Sequence, residues 1–325
     1  MVATPDASTL VIGDASGDVY ILPANTGSEE LAREESNIGF VGHSSAVRLI
    51  EVSRDGSTVA SAAADNTVRV WDTATRLPRP FFGKVSGGPI DKLAFSPDAT
   101  LLGILNGRFA EVMAADSGRV LARFDLGEPH RSLAFADADH LYVGGESGTL
   151  RAIVRNAADT WAMQQIWQGE AAIRWLEASP KGHTLVLVDR NNLAQLFDLA
   201  EGRIGESALQ LPSPVQEVRF TPGGSRVLLR TGNWIHRASA SVTGLNWIDA
   251  ILAPHVPDRT RIVFGKSGTY EKSGPGNRLY LPVIGSGFVH LTQLNFVGAK
   301  GPGLFGNKDQ LLGEWRDRLG LNDDT

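Results

Sequence analysis

The chain has 325 residues and a net charge of −5, with 42% hydrophobic and 21% charged residues, a composition typical of a soluble globular protein. Its 36 glycines and 16 prolines predict many turns between short elements. The absence of cysteine excludes disulfides, thiolate zinc sites and a cysteine nucleophile, and the acidic charge argues against nucleic acid as a partner.

No stretch of the sequence predicts a secretory or membrane segment. The first residues lack the basic region and apolar core of a signal peptide, and no apolar run approaches the ~18 residues of a membrane-spanning helix. We therefore expect a cytoplasmic protein without a membrane partner. Only Val2 and Ala3 precede the first turn, where later repeats have six residues. Either the C-terminal strands around Phe288 to Phe296 complete this first blade, or, as we expect, the chain is part of a longer polypeptide or a multi-subunit complex.

A turn signature recurs along the chain at intervals of 40 to 49 residues. Its copies begin at positions 4, 53, 96, 136, 179 and 221, and one more step leads to a turn near 265. Each copy, such as Ser96-Pro97-Asp98-Ala99, follows a short apolar run, and further short runs separated by tight turns come after it. Strands of this length joined by such turns predict antiparallel sheets, and a period of about 43 residues is typical of propeller blades.

Burial gives the physical reason for the repetition. A single four-stranded sheet cannot cover both of its apolar faces, whereas neighbouring sheets in a stack cover each other. The sequence therefore predicts an all-β, seven-bladed propeller with degenerate repeats over residues 1–300.

The remaining residues, 301–325, are predicted to form a tail with a short C-terminal helix. Asn307 to Gln310 has the pattern of a helix N-cap with a capping glutamine. One apolar face follows it, formed by Leu311, Leu312, Trp315 and Leu319. This helix either packs on the side of the propeller or docks on a partner.

The second repeat carries additional polar residues at a characteristic spacing, namely Gly42-His43, Ser61, Asp65 and Trp71-Asp72. This set resembles the signature of the WD-repeat family of β-propellers. The resemblance implies that the side chains of His43, Ser61, Asp65 and Trp71 form a buried, hydrogen-bonded structural tetrad. The other repeats are degenerate, and their matching Trp positions hold Leu22, Met113, Ile153 and Phe197.

A serine, a histidine and an aspartate in one repeat are also the residue types of a hydrolase triad. No Gly-x-Ser-x-Gly elbow surrounds Ser61, however, and the seven histidines show no metal-binding spacing. We therefore predict no catalytic residues, no metal and no cofactor. The alternative is a propeller enzyme, a hydrolase or lyase, with its site at the central channel.

The repeat register also predicts a binding surface. Aligning the first strand of each repeat by its turn puts one set of residues at the second position: Arg48, Asp91, Arg131, Arg174 and Gln216. By resemblance to WD-repeat proteins, this position lies near the top rim of the central channel. Arginine and tryptophan are enriched at the centres of protein interfaces, and Trp175 follows Arg174. We interpret the set as a site for an acidic peptide or protein segment; alternatively, the arginines pair with Asp91, Glu51 or Glu177 and are merely solvated.

The resemblance further implies a non-catalytic protein-protein interaction platform. Its role would be that of a scaffold, or of the sensor module of a larger signalling or defence protein or complex.

Overall fold

The computed structural model describes residues 2–6, 8–23, 42–85, 88–221, 223–232, 234–241, 243–252, 261–265, 270–273, 278–285 and 288–295. All regular elements in these residues are β-strands. The chain divides into two compact units, Met1–Leu185 and Val186–Thr325. The predicted boundary at residue 300 and the predicted C-terminal helix lie outside the described residues.

The first unit contains four antiparallel sheets, whose strands pair in chain order. The first sheet has β1 (Val2–Ala3), β2 (Thr9–Gly13) and β3 (Val19–Pro23). The second has β4 (Val47–Val52), β5 (Thr58–Ala63), β6 (Thr67–Asp72) and β7 (Pro78–Lys84). The third has β8 (Ile90–Phe95), β9 (Leu101–Asn106), β10 (Phe109–Ala114) and β11 (Val120–Asp125). The fourth has β12 (His130–Phe135), β13 (His140–Gly145), β14 (Thr149–Arg155) and β15 (Trp161–Gln168), and β16 (Ile173–Ala178) begins the fifth repeat. Each repeat with its sheet forms one blade.

Apolar side chains pack consecutive blades of the first unit against each other. One cluster joins Val68 and Val70 of the second blade to Leu102 and Ile104 of the third. A second cluster joins the third blade to the fourth. The second strands of the second and third blades, β5 and β9, are buried at every residue. The first strands also meet in order, β4 with β8, β8 with β12 and β12 with β16.

The repeated turn has the same hydrogen bonds in several copies. In the second blade the Ser53 backbone N–H donates to the Thr58 carbonyl at 2.8 Å, and the Ser53 hydroxyl donates to Asp55 at 2.6 Å. The third blade repeats both bonds with Ser96 and Asp98. A short Asp or Ser side chain that satisfies its own turn explains why these residue types recur at this place.

The second unit contains further strands, and β17 (Thr184–Asp189) spans the boundary between the units. The fifth repeat continues with β18 (Leu193–Asp198), β19 (Arg203–Ile204) and β20 (Leu209–Gln210), and both short strands pair with β18. The sixth repeat forms β21 (Val215–Phe220), β22 (Arg226–Thr231), β23 (Trp234–Ser241) and β24 (Gly244–Leu252).

The predicted seventh repeat differs from a separate four-stranded blade in the described residues. Two strands flank the predicted turn near 265, β25 (Arg261–Gly265) and β26 (Tyr270–Ser273). They pair with each other, and β25 also pairs with β24, so that both strands extend the sixth sheet. The last two strands, β27 (Arg278–Gly285) and β28 (Phe288–Asn295), form a hairpin.

Candidate functional site

Four of the five predicted second-position residues coincide with a recurring β-bulge. Between β4 and β5 the pairing passes from Val47 with Ala63 to Leu49 with Ala62, which leaves Arg48 outside the ladder. The same slip leaves out Asp91 in β8 and Arg131 in β12. In the second unit it leaves out Gln216 of β21. A bulge re-aims the side chain of its extra residue, so equivalent sequence positions also share an unusual backbone geometry.

One carboxylate joins two of the predicted arginines. Glu146 follows β13, and its Oε1 accepts hydrogen bonds from Arg131 Nε at 3.0 Å and Arg174 Nη1 at 3.1 Å. Arg131 Nη1 also lies 3.8 Å from Asp91 Oδ1. A chain of alternating charge, Asp91, Arg131, Glu146 and Arg174, therefore runs from the third blade to the fifth. We call it the ion chain.

The arginines of the ion chain remain accessible. The side chain of Arg131 is 53% exposed and that of Arg174 is 41% exposed. Ion pairs at such positions stabilise a fold by only about 0 to 1 kcal/mol each. Their geometry therefore matters more than their contribution to stability, because Glu146 holds two guanidinium groups in fixed positions where a ligand can reach them.

Glu146 is not among the residues that the sequence predicts for this site. The expected acidic partners were Asp91, Glu51 and Glu177, and of these Asp91 lies within ion-pair distance of a predicted arginine. Glu146 comes from the end of the second strand of its blade, outside the aligned set. Only the pairing of β12 with β13 brings this position next to Arg131.

The other predicted residues of the site have different surroundings. The Lys92 ammonium lies 5.1 Å from the ring centroid of Trp175, so an internal cation already occupies one side of this aromatic anchor. Arg48 is exposed, and its side chain has no hydrogen bond or ion pair with any residue that the structure describes. In the second unit, the Gln216 amide oxygen accepts a hydrogen bond from Arg230 at 2.6 Å.

The structural tetrad of the second blade contains one more link than the resemblance implies. Trp71 Nε1 donates to Ser61 Oγ at 2.8 Å, and Ser61 Oγ lies 2.7 Å from His43 Nε2. His43 Nδ1 then contacts the Thr67 hydroxyl at 2.6 Å, and this hydroxyl donates to Asp65 at 2.6 Å. The carboxylate of Asp65 is 3.8 Å from His43 Nδ1, so Thr67 bridges the two.

The Thr67 hydroxyl gives its proton to Asp65, so His43 Nδ1 must carry the proton that it donates to Thr67 Oγ1. In a neutral ring Nε2 is then unprotonated and accepts the proton of Ser61 Oγ, which itself accepts from Trp71. Burial lowers the pKa of His43 to about 4, which agrees with a neutral ring. Partial burial raises the pKa of Asp65, but the hydrogen bonds donated by Thr67 and Ser44 outweigh it and lower the pKa to about 2. Every hydrogen bond in the series from Trp71 to Asp65 therefore has one donor and one acceptor.

The same geometry argues against a hydrolytic triad in this blade. Ser61 and Trp71 have no exposed surface, and His43 is 5% exposed. A serine nucleophile must reach a substrate, whereas Ser61 Oγ is enclosed by its contacts with the indole and the imidazole. The arrangement therefore stabilises the blade.

A second polar cluster, in the fourth blade, was missed in the sequence. Glu128 accepts hydrogen bonds from Ser147 Oγ at 2.6 Å and Thr149 Oγ1 at 2.7 Å. Arg151 Nη1 donates to His130 Nε2 at 2.8 Å, while His130 Nδ1 contacts the Glu128 carbonyl oxygen at 2.8 Å. His130 is 1% exposed, and burial is the main reason for its lowered pKa.

The fourth blade exchanges the acidic and hydroxyl partners found in the second. In the second blade Ser44, before the first strand, donates to Asp65 in the turn after the second strand. In the fourth, the acidic residue is Glu128 before the first strand, and the hydroxyl of Ser147 comes from the later turn. The family signature has its acidic residue in the turn after the second strand, so the fourth blade does not match that signature.

No group of three or more potential metal ligands occurs in the part of the chain that the structure describes. Over the same residues, no helix is long and apolar enough to cross a bilayer.

Comparison with known proteins identifies a repeat family and a fold. The family model "WD domain, G-beta repeat" matches residues 35–72, which include the whole tetrad. Among solved structures, the chain is similar to the β-propeller domain of Cps50 (Swd1) from Myceliophteria thermophila, with a TM-score of 0.56 and 11% sequence identity. The match covers 78% of this chain and 98% of that chain. The predicted β-propeller with a WD-type repeat is confirmed, and at this level of identity the structural likeness concerns the fold.

Proposed function

We propose that this chain, a WD-repeat β-propeller, is a non-catalytic interaction platform that binds a protein or peptide partner through the bulged residues of its first strands. Propellers of this type typically act as protein-interaction scaffolds. The observation that carries the proposal is the bulge repeated in β4, β8 and β12. It turns one side chain out of each ladder at the same position in three successive blades, which gives a partner several rigidly held contacts.

The charges at these positions favour an acidic segment as the partner. The carboxylates of Asp91 and Glu146 balance the guanidiniums of Arg131 and Arg174, and Arg48 adds a positive charge without a described partner. Each guanidinium has five N–H donors, and the ion pairs use only part of them. The free donors can bind carboxylates of the partner while Glu146 keeps the two arginines in place.

Trp175 adds apolar area next to these charges. Aromatic residues contribute strongly to binding when a partner covers them, and Trp175 is half-buried beside exposed Arg174. We further propose that the propeller serves as the scaffold or sensor module of a larger signalling or defence assembly, in which partner binding is transmitted to an attached component.

A charge-reversal experiment tests the binding surface. The chain and its Arg48→Glu/Arg131→Glu/Arg174→Glu variant are used as baits in a lysate of the native host, and captured proteins are identified by mass spectrometry. The control is Arg119→Glu/Lys181→Glu/Arg190→Glu, which makes the same change in charge at exposed residues without described ion pairs. Circular dichroism verifies that both variants fold.

We expect to find partners that the control variant still captures and that the Arg48/Arg131/Arg174 variant no longer captures. Partners retained equally by both variants would place the interface elsewhere and refute this use of the bulged residues. Loss in both variants would show a nonspecific charge effect and refute it as well.

A further inference from the structure

The outer strand of the fourth blade differs from its counterparts. β15 has eight residues, with no charged residue and no proline. The outer strand of the second blade, β7, contains two prolines, and that of the third, β11, contains Arg123 and Asp125. Prolines and charges on an edge strand prevent it from pairing with another chain. β15 has neither of these protective features.

β15 also has an open hydrogen-bonding edge. It is the last strand of its sheet, and among the strands that the structure describes it pairs with β14 alone. The pairing is regular from Trp161 to Gln165, and a bulge at Ile166 then interrupts it. On the side away from β14, no backbone hydrogen bond joins the regular run from Trp161 to Gln165 to another described residue. Unpaired N–H and C=O groups in a regular run are a template for a further strand.

The strand is fixed on one side and exposed on the other. Trp161 and Met163 pack against the apolar cluster that joins the third and fourth blades. The alternating residues Ala162 and Gln164 are exposed, as is Gln165. An incoming strand therefore meets a backbone that is already ordered, which lowers the entropy lost on pairing.

We propose that β15 is the interface of a homodimer, in which it pairs antiparallel with β15 of a second copy of this chain. The two four-stranded sheets then form one continuous sheet across a two-fold axis. The composition of the strand favours a second copy as the occupant, because an uncharged strand meets itself without opposing like charges. The small and amide side chains of the exposed face allow close approach.

Sedimentation of the full chain and two single variants tests the proposal. Ala162→Lys puts a charge on each copy of the paired edge, and Ala74→Lys makes the same change in an exposed turn after β6. We expect a wild-type dimer at micromolar concentration, at least about a tenfold weaker dimer for Ala162→Lys, and no change for Ala74→Lys. A monomeric wild type, or a dimer that both variants leave intact, overturns the proposal.

Cysteine cross-linking provides a second test that does not depend on weakening the fold. Because the chain has no cysteine, a single introduced thiol reports one contact. A short bis-maleimide tolerates an offset of the two thiols about the two-fold axis, so it should link Gln164→Cys into a dimer, whereas Ala74→Cys should remain monomeric. Equal cross-linking of the two variants overturns the proposal. Capture of a different protein by a wild-type chain that stays monomeric would assign the edge to another partner and also overturns it.

Discussion

Replacing Asp65 by alanine tests the hydrogen-bonded chain of the second blade. Four hydrogen bonds end on this carboxylate, donated by the backbone N–H and hydroxyl groups of Ser44 and Thr67 at distances from 2.6 to 3.0 Å. Ser44 is exposed, so water can replace its two bonds at little cost. The two bonds from half-buried Thr67 are charge-assisted and contribute about 1 kcal/mol or more each.

The pKa of Asp65 gives an independent magnitude. Its decrease from 3.8 to about 2 in the folded protein corresponds to roughly 2 to 3 kcal/mol, at about 1.4 kcal/mol per pH unit. Leaving the buried donors unpaired is expected to cost about 1 to 3 kcal/mol. Both estimates agree, so Asp65→Ala should lower the free energy of unfolding by about 2 kcal/mol.

Urea unfolding at pH 7, followed by tryptophan fluorescence and circular dichroism, measures this loss. Asp72→Ala is the matched control, since the Asp72 carboxylate accepts bonds from Thr75 in an exposed turn and should contribute less than about 1 kcal/mol. The difference between wild type and Asp65→Ala should shrink as pH falls from about 4 towards 2, because protonation removes the acceptor. Equal losses for Asp65→Ala and Asp72→Ala would refute the reasoning.

Three further predictions concern protonation, a strained turn and the ion chain. Burial lowers the pKa of His43 and His236 to about 4, below the unfolded value near 6.5. The free energy of unfolding, measured with urea, should therefore decrease as pH falls from 6.5 to 4, by up to about 3 kcal/mol for each group. Ala99 has a φ of 57° at the turn position where the second blade has Gly56, and Ala99→Gly should raise thermal stability by up to about 1 kcal/mol. Glu146→Gln should change the free energy of unfolding by less than about 1 kcal/mol, because the ion pairs that it weakens are exposed. The same substitution removes a negative charge beside Arg131 and Arg174, so it should increase the salt dependence of binding to an acidic probe peptide, measured by fluorescence anisotropy.

The sequence predicted the repeated elements because their causes are local. Ser53 and Asp55, or Ser96 and Asp98, satisfy their own turn through side chains two residues apart, and such a signal survives in degenerate copies. The period of these turns, together with the apolar runs between them, was sufficient for the β-propeller fold.

Features that depend on pairing between strands were not predictable in the same way. The bridging role of Thr67 depends on the distance between His43 and Asp65, which the spacing of the signature does not specify. Glu146 reaches Arg131 only through the register of β12 with β13. One residue of slip would turn its side chain to the other face of the sheet.

The exchange between Glu128 and Ser147 shows a different reason for failure. A hydrogen bond between a carboxylate and a hydroxyl is satisfied whichever residue supplies the acid, while a sequence signature fixes the acid at one position. The fourth blade therefore retains the hydrogen bond, although its residues no longer match the sequence signature.

Because of the recurring bulge, the surface side chains at these positions can vary without affecting the stability of the fold. The backbone irregularity is the same whether it presents arginine at 48 and 131, aspartate at 91 or glutamine at 216. Since these side chains lie outside the ladder, their replacement leaves strand pairing and the apolar contacts between blades in place. If the proposed surface binds a partner, a few point substitutions there would redirect the protein to a new ligand without a compensating change in its interior, so that descendants of one propeller could diversify in recognition while inheriting the same architecture.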